Sequence, residues 1–333
     1  MNVVKNELPS GIELEFSEDD RLFHYTSTEG LFGILQSGML WATHFQFLND
    51  AQECMRARRS LEHYLQGPLS RKIAALVVNK KIVVQQGSSV KEAAALEAVN
   101  VVKTMYEATL GNVDPFVFSA YLCAKSDRRR FDHGDLQHWA TYGRGAGYAI
   151  QINPQRLKAL FVGETKKYTH GGLFCSAVEY TDDVAPPSLK GHYDVIASSS
   201  ELIIERIRQG QENDQELKEA IDSTFLPFVR IISFIKDSCF AHEHEGRIVF
   251  YRHKVLPQGR QNHLLKVLTK GSFAIPYIGL FEDSLFGPQT PIERVIIGPH
   301  PDRVRRRVAL ESYLASRNLG IEVTDSDLPY SPR

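Results

Sequence analysis

Residues 21–50 have a pattern of hydrophobic and polar positions that predicts a strand, a short helix and a second strand. The first run, 21–26, is rich in aromatic and β-branched residues, which favour a strand. Apolar residues then recur at helical spacing as far as Gly38, a residue type that often ends helices in the left-handed conformation. The run at 39–43 predicts the second strand, which leads into a loop at 47–50.

Two blocks of helical periodicity lie further along the chain. The first covers about 51–112, with breaks expected at Gly67–Pro68 and at 86–89, and a long helix is predicted at 90–110. In the second, residues 198–235 are helical in pattern, with breaks expected near Gly210 and at Pro227. Both blocks are longer than a core of strands needs.

Short runs with the alternation and β-branched content of strands fill much of the remaining sequence. The predicted strands cover 116–122, 148–152, 176–180, 247–251, 273–281, 294–297 and 321–324. The charged segment 125–135 is predicted to be a loop, and 136–142 and 302–318 are predicted to be helices. This order of strands, helices and further strands indicates an α+β fold rather than a doubly wound parallel sheet.

The length of 333 residues favours one elaborated domain. We expect a polar lead-in at 1–20 and a single domain at 21–330, with helical insertions at about 51–112 and 184–235. The 39 basic and 40 acidic residues nearly cancel, so bulk charge predicts no general attraction to nucleic acid or membranes. The cysteines form no CxxC pair, and the sequence has no apolar segment long enough for a signal peptide or a membrane helix. We therefore expect a cytoplasmic protein with reduced thiols and no membrane partner.

Three groups of residues could carry chemistry. The first is His24 with Tyr25 and Thr26, which places an imidazole and two hydroxyls on one predicted strand. The second is Trp139 and Tyr142 beside a glycine-rich turn, where aromatic rings can wall a pocket for a flat heteroaromatic ligand. Each group has a plainer alternative, a hydrogen-bonded core histidine for the first and ordinary core packing for the second.

The third group lies at 241–247. In an extended segment Glu243, Glu245 and Arg247 would share one face, and two carboxylates with a guanidinium are costly to bury without a purpose. An exposed strand edge is the alternative. His242 and His244 would share the opposite face and could bind a metal as a pair. The sequence lacks the HExxH spacing of a zinc-binding helix and a second cluster of ligands, so we predict no metal site.

Taken in order, these motifs resemble a bacterial domain-of-unknown-function family found in defence and toxin–antitoxin settings. The resemblance covers most of 21–330. The matching segments are His24-Tyr25-Thr26, Asn49-Asp50-Ala51-Gln52-Glu53, Phe118-Ser119, Trp139-Ala140-Thr141-Tyr142-Gly143, Glu243-His244-Glu245-Gly246-Arg247, Ile297-Gly298-Pro299 and Ser326-Asp327-Leu328-Pro329-Tyr330. The sequence departs from the family pattern at Gly246, where a tryptophan is common.

That family is in turn similar to the ADP-ribosyltransferase-like superfamily, which includes toxins that modify nucleic acids. The resemblance implies a split β-sandwich core and NAD as the substrate. It further implies that His24 binds the adenosine ribose, with Tyr25, Thr26 and Asn49 around the nicotinamide pocket and Trp139 or Tyr142 against the nicotinamide ring.

Within this resemblance we expect Glu245, or Glu243 next to it, to stabilise the positive charge that develops on the ribose, with Arg247 orienting Glu245 or holding a phosphate. Basic clusters at 128–130 and 303–307 mildly favour an RNA or DNA acceptor over protein or water, and an antitoxin or inhibitor protein is a further expected partner. The alternatives are a nucleotide-binding sensor without activity and a metal-dependent hydrolase or nuclease that uses His242 and His244.

Overall fold

The structure is a computed structural model that describes residues 12–48, 53–81, 83–84, 87–143, 147–182, 184–211, 215–256, 258–270 and 272–329. Its strands are β1 (Ile12–Glu15), β2 (Asp20–Thr26), β3 (Leu40–His44), β4 (Val113–Ala124), β5 (Tyr148–Ile152), β6 (His170–Ala177), β7 (Glu179–Tyr180), β8 (Ile235–Lys236), β9 (Glu245–His253), β10 (Lys266–Lys270), β11 (Phe273–Leu280), β12 (Ile292–Ile297) and β13 (Glu322–Asp325). Its helices are α1 (Thr28–Ser37), α2 (Glu53–Val78), α3 (Val90–Asn112), α4 (Arg128–His133), α5 (Leu136–Thr141), α6 (Leu157–Lys167), α7 (Lys190–Arg208), α8 (Gln215–Phe234) and α9 (Arg303–Ser316).

The chain divides into two compact units, and the elements combine a large mixed sheet with several helices, in agreement with the predicted α+β class. The first unit comprises Met1–Phe47, Pro115–Ala177 and Glu243–Arg333. The second comprises Leu48–Asp114 and Val178–His242, ranges that overlap the two predicted helical blocks.

The first unit is built on an eleven-stranded sheet in which the order β1-β6-β9-β4-β2-β5-β12-β13 forms the main path. Strand β3 also pairs with β4, and a side branch of the sheet runs from β3 through β11 to β10. One edge of β4 therefore serves two neighbours, because Tyr121–Ala124 pair with β2 while Phe116 and Val117 pair with β3. The sheet forks at residues 118–120 of β4, between these two pairings.

Alternation along the strands gives the sheet two differently packed faces. One face carries the large apolar cluster that includes Leu22, Phe118, Ile248 and Phe250, and this cluster extends to α1 and α9. The opposite face carries a smaller cluster around Phe23, Tyr25, Tyr121 and Trp139. We call them the apolar face and the aromatic face.

The second unit contains the long helices α2, α3, α7 and α8 and a short parallel pairing of β7 with β8. The predicted ends at Gly67–Pro68 and at Pro227 are wrong, because α2 and α8 run through both prolines. Buried leucines at four-residue intervals, Leu61, Leu65 and Leu69, continue across Pro68. Burial of this stripe stabilises the helix by more than the hydrogen bond that the proline removes.

Other differences from the sequence prediction are local. The predicted lead-in contains β1, whose Leu14 side chain packs against the apolar cluster. The predicted loop at 125–135 contains the short helix α4, which begins because Asp127 accepts a hydrogen bond from the Arg130 amide. Helix α6 and strand β10 were not predicted at all. The capping box of Ser89 and Glu92 starts α3 where the sequence indicated a new helix.

Candidate functional site

Strand β2 places its functional side chains on both faces of the sheet. His24 lies on the apolar face, where its ring is 4.6 Å from that of Phe118 and its Nδ1 is 3.0 Å from the Ser119 carbonyl oxygen at the fork. Burial lowers the pKa of His24, and the hydrogen bond to Ser119 offsets only part of that effect. A neutral imidazole therefore lies at the fork.

Tyr25 points to the aromatic face and joins β2 to the segment before α5. Its hydroxyl oxygen accepts a hydrogen bond from the Asp135 amide at 2.7 Å, and its ring lies 4.8 Å from Trp139 and 5.1 Å from His138. Burial raises the pKa of Tyr25 far above its usual value, so the hydroxyl remains protonated.

Asp135 organises the start of α5. Its Oδ1 accepts hydrogen bonds from the amides of Gln137 and His138 and lies 2.9 Å from His138 Nδ1. Burial would raise the pKa of Asp135, but the hydrogen bonds from His138 and the nearby Arg130 charge outweigh it and lower the pKa to about 2. The N-cap is thus an ionised carboxylate.

His138 links this carboxylate to the segment before β9. Its Nε2 is 3.1 Å from the main-chain oxygen of Glu243, and this oxygen can only accept a hydrogen bond. Asp135 Oδ1 is also an acceptor, so each of the two hydrogen bonds needs a proton on the ring nitrogen that faces it. Tyr142 completes the contact by donating its hydroxyl proton to Glu243 Oε1 at 3.0 Å.

Glu245 and Arg247 form a buried ion pair at the start of β9. Arg247 Nε and Nη2 donate to the two Glu245 oxygens at 2.8 and 2.9 Å, and the residues are 2% and 7% exposed, respectively. A Cβ at Gly246 would meet Leu22 Cδ2 at 2.5 Å, so position 246 faces the apolar side and has no room for a side chain. By alternation, Glu245 and Arg247 point to the aromatic face, with Tyr25.

The predicted alternation of Glu243 with Glu245 and of His242 with His244 is wrong. Residues Ser238–Glu243 form a 3-10 helix, and His244 has a left-handed φ of 40°, so the extended segment begins only at Glu245. His242 is exposed, and its Nδ1 lies 3.1 Å from the Cys239 carbonyl oxygen. Among the described residues no three His, Cys, Asp or Glu side chains are grouped to hold a metal.

The structure thus brings Tyr25, Tyr142 and Glu243 together around His138, and it places Glu245 and Arg247 on the same sheet face. It does not bring His24 to this group, because His24 lies on the opposite face. Trp139 is fully buried, and its Nε1 donates to the His133 carbonyl oxygen, so its ring is part of the core.

Thr26 also lies on the apolar side of β2, where its hydroxyl would be 2.0 Å from a Cβ at Gly30. Asn49 lies outside the described residues. Asp135 and His138 were missed by the sequence analysis. Their spacing of three residues, with the aspartate capping and the histidine one turn later, was the signal that could have indicated them.

The basic clusters are partly neutralised within the first unit. Arg130 contacts Asp127 and Asp135, whereas Arg128 and Arg129 are exposed on α4. On α9, Arg307 contacts Glu311 and Asp325 at 2.9 Å each. Free basic charge near the aromatic face therefore comes mainly from the start of α4.

The chain matches no family model, no curated protein and no solved structure with which it was compared. None of the described helices is long and apolar enough to cross a membrane.

Proposed function

We propose that this protein cleaves the bond between nicotinamide and ribose in NAD and transfers ADP-ribose to an acceptor. The observation that carries the proposal is the group on the aromatic face, in which Tyr142 holds Glu243 and the buried pair of Glu245 and Arg247 follows directly in β9. This face of the sheet carries two carboxylates, a guanidinium and two tyrosine hydroxyls. Such groups can stabilise the positive charge that develops on a sugar carbon when its glycosidic bond breaks.

The two glutamates differ in what they can offer a substrate. Both oxygens of Glu245 bind Arg247, which compensates its charge in a buried place. Glu243 is partly exposed, so a substrate can reach its carboxylate, and Tyr142 positions its Oε1. We therefore assign the stabilisation of the ribose cation to Glu243, and we assign to Glu245 and Arg247 the positioning of this segment.

The fork in the sheet supports the same proposal. An ADP-ribosyltransferase-like split β-sandwich has a core whose strands diverge into two branches, and β4 gives rise to two such branches, through β2 and through β3. The long helices α2, α3, α7 and α8 lie between core strands along the chain, in the two blocks whose periodicity predicted helices. The adenosine ribose role of His24 stays a prediction, and it would require NAD to reach the fork from the apolar side.

Nucleic acid remains the favoured acceptor in this proposal because Arg128 and Arg129 are exposed on α4, close in sequence to Asp135 and His138. Cytoplasmic toxins of this kind need an inhibitor, so an antitoxin is the expected protein partner.

The test is to incubate the protein with NAD labelled in its adenine moiety, in the presence of RNA, DNA and protein, and to measure both nicotinamide release and the fraction that takes up label. We expect Glu243→Gln to reduce nicotinamide release by about 100-fold or more, because the cation loses its counter-charge. Glu107→Gln, at an exposed position of α3, is the matched control and should leave the rate unchanged.

Three results would contradict the proposal. Thermal stabilisation by NAD without nicotinamide release would indicate a nucleotide sensor. Loss of activity with a chelator would indicate a metal-dependent enzyme. Full activity of a folded Glu243→Gln variant would exclude Glu243 from the reaction.

A further inference from the structure

Strand β10 forms one end of the branch that runs from β4 through β3 and β11. Among the described strands it pairs with β11 alone, in an antiparallel hairpin from Lys266↔Tyr277 to Lys270↔Phe273. Its second edge is therefore open to another strand. Natural proteins usually cover or shorten such edges, because an open edge pairs readily with another chain.

Pro276 shows which main-chain groups of β10 face the open edge. Pro276 lies opposite Val267 and has no N–H to donate, so Val267 and Pro276 cannot form a hydrogen-bonded pair of the antiparallel ladder. The hydrogen-bonded pairs are the alternate ones, such as Leu268 with Ile275. Val267 and Thr269 consequently direct their N–H and C=O groups outwards, where a further strand would bind them.

The hairpin also exposes apolar side chains on both of its faces. Val267 is 58% exposed, Leu268 38% and Phe273 69%, and Leu264 and Leu265, just before β10, are exposed as well. Exposed apolar side chains that are grouped on one hairpin commonly mark a place where a partner binds.

The charge of this region indicates the chemistry of that partner. Residues 248–281 contain five lysine and arginine residues and no aspartate or glutamate. Among the described side chains of β10, Lys266 has an acidic partner from just outside this range, because its Nζ lies 3.7 Å from Glu282 Oε1. Both side chains of that pair are partly exposed, so exchanging Glu282 for a partner's carboxylate would cost little.

We propose that β10 binds an extended peptide segment of a partner protein that alternates apolar and acidic residues and adds to the sheet as a further strand. Main-chain hydrogen bonds to Val267 and Thr269 supply much of the affinity, and the exposed apolar side chains with Lys266 select the sequence. A second copy of this chain is a poorer occupant, because it would bring the same basic residues to the same edge.

The probes are two fluorescent nine-residue peptides, one alternating glutamate with valine and the other alternating lysine with valine. Binding is measured by anisotropy with the full chain. We expect the acidic peptide to bind at least about tenfold more tightly than the basic one, a difference set by charge alone.

Two variants of the chain, each with a matched control, locate the interaction. Thr269→Pro removes an outward N–H but none of the hydrogen bonds to β11, and proline is tolerated where the N–H of an edge strand faces solvent. It should weaken acidic-peptide binding by about tenfold or more, whereas Thr269→Ser should not. Val267→Ser, which leaves the main chain intact, should also weaken binding, while Val308→Ser at a similarly exposed site on α9 should not.

Other results would overturn the proposal. Equal binding of the two peptides would remove the selection by charge, and binding that survives both Thr269→Pro and Val267→Ser would place the peptide elsewhere. Self-association that Thr269→Pro abolishes would identify a second copy as the occupant. Binding of anionic vesicles or of RNA through the same residues, without peptide binding, would identify a different class of partner.

Discussion

The two faces of the central sheet differ in how they use the same strands. On the apolar face, aliphatic and aromatic side chains pack against α1 and α9, and His24 is a polar exception at the fork. On the aromatic face, rings such as Tyr25 and Trp139 each also have a hydrogen-bond partner, and ionised groups lie beside them. The first arrangement stabilises a fold, whereas the second positions polar atoms, which is what a reaction requires.

The largest effect on stability is expected for Arg247→Met. This change leaves the Glu245 carboxylate buried without its bidentate partner, which costs about 3–5 kcal/mol. The free energy of unfolding in urea measures the loss. The double variant Glu245→Gln, Arg247→Met should recover most of it, and a loss below about 1 kcal/mol in the single variant would mean that the pair is solvated.

Asp135→Asn is expected to cost about 2 kcal/mol at neutral pH, because the pKa of Asp135 is lowered from 3.8 to about 2 by its hydrogen bonds. A carboxyl group with a lowered pKa in the folded state adds stability above its ordinary pKa and loses it as the pH falls. The difference between wild type and variant should therefore shrink between about pH 4 and pH 2. Asp19→Asn, at an exposed position, is the control, and a pH-independent difference would contradict the account.

Tyrosine hydroxyls on the two faces should respond in opposite ways. Tyr25→Phe leaves the Asp135 amide without its acceptor and should cost about 1 kcal/mol. The Tyr313 hydroxyl, on α9, is buried without a hydrogen-bond partner among the described atoms. Tyr313→Phe should thus be neutral or stabilising in the same thermal unfolding experiment. Equal losses at both positions would remove the distinction between the faces.

The smallest effect is expected for His24, through the pH dependence of the free energy of unfolding. Because burial lowers its pKa, the unfolded chain takes up a proton before the folded chain does, and stability should fall as the pH drops below about 6.5. His24→Gln should flatten this slope between pH 7 and pH 5. A residual slope is expected from His170, whose pKa is also lowered by burial and by His253 and His263. An unchanged slope would place His24 in contact with water.

The predicted core strands are short runs rich in β-branched and aromatic residues, and this local signal is why β4, β5 and β9 could be predicted. The helices that pass through Pro68 and Pro227 could not, because tertiary burial there overrides a local signal. Within the site, alternation placed Glu245 and Arg247 on one face, but it failed at His244, where a left-handed residue interrupts it. The contact of His138 with Glu243 joins residues 105 positions apart, and nothing in either segment alone encodes that meeting.

The central claim is that the reacting carboxylate lies on the aromatic face. Nicotinamide release from NAD, compared between Glu243→Gln and His24→Gln, tests it most directly. We predict that Glu243→Gln lowers the kcat by about 100-fold, whereas His24→Gln keeps kcat within about threefold and affects at most the KM. A His24→Gln variant that loses its kcat while Glu243→Gln retains it would contradict the account and move the chemistry to the fork.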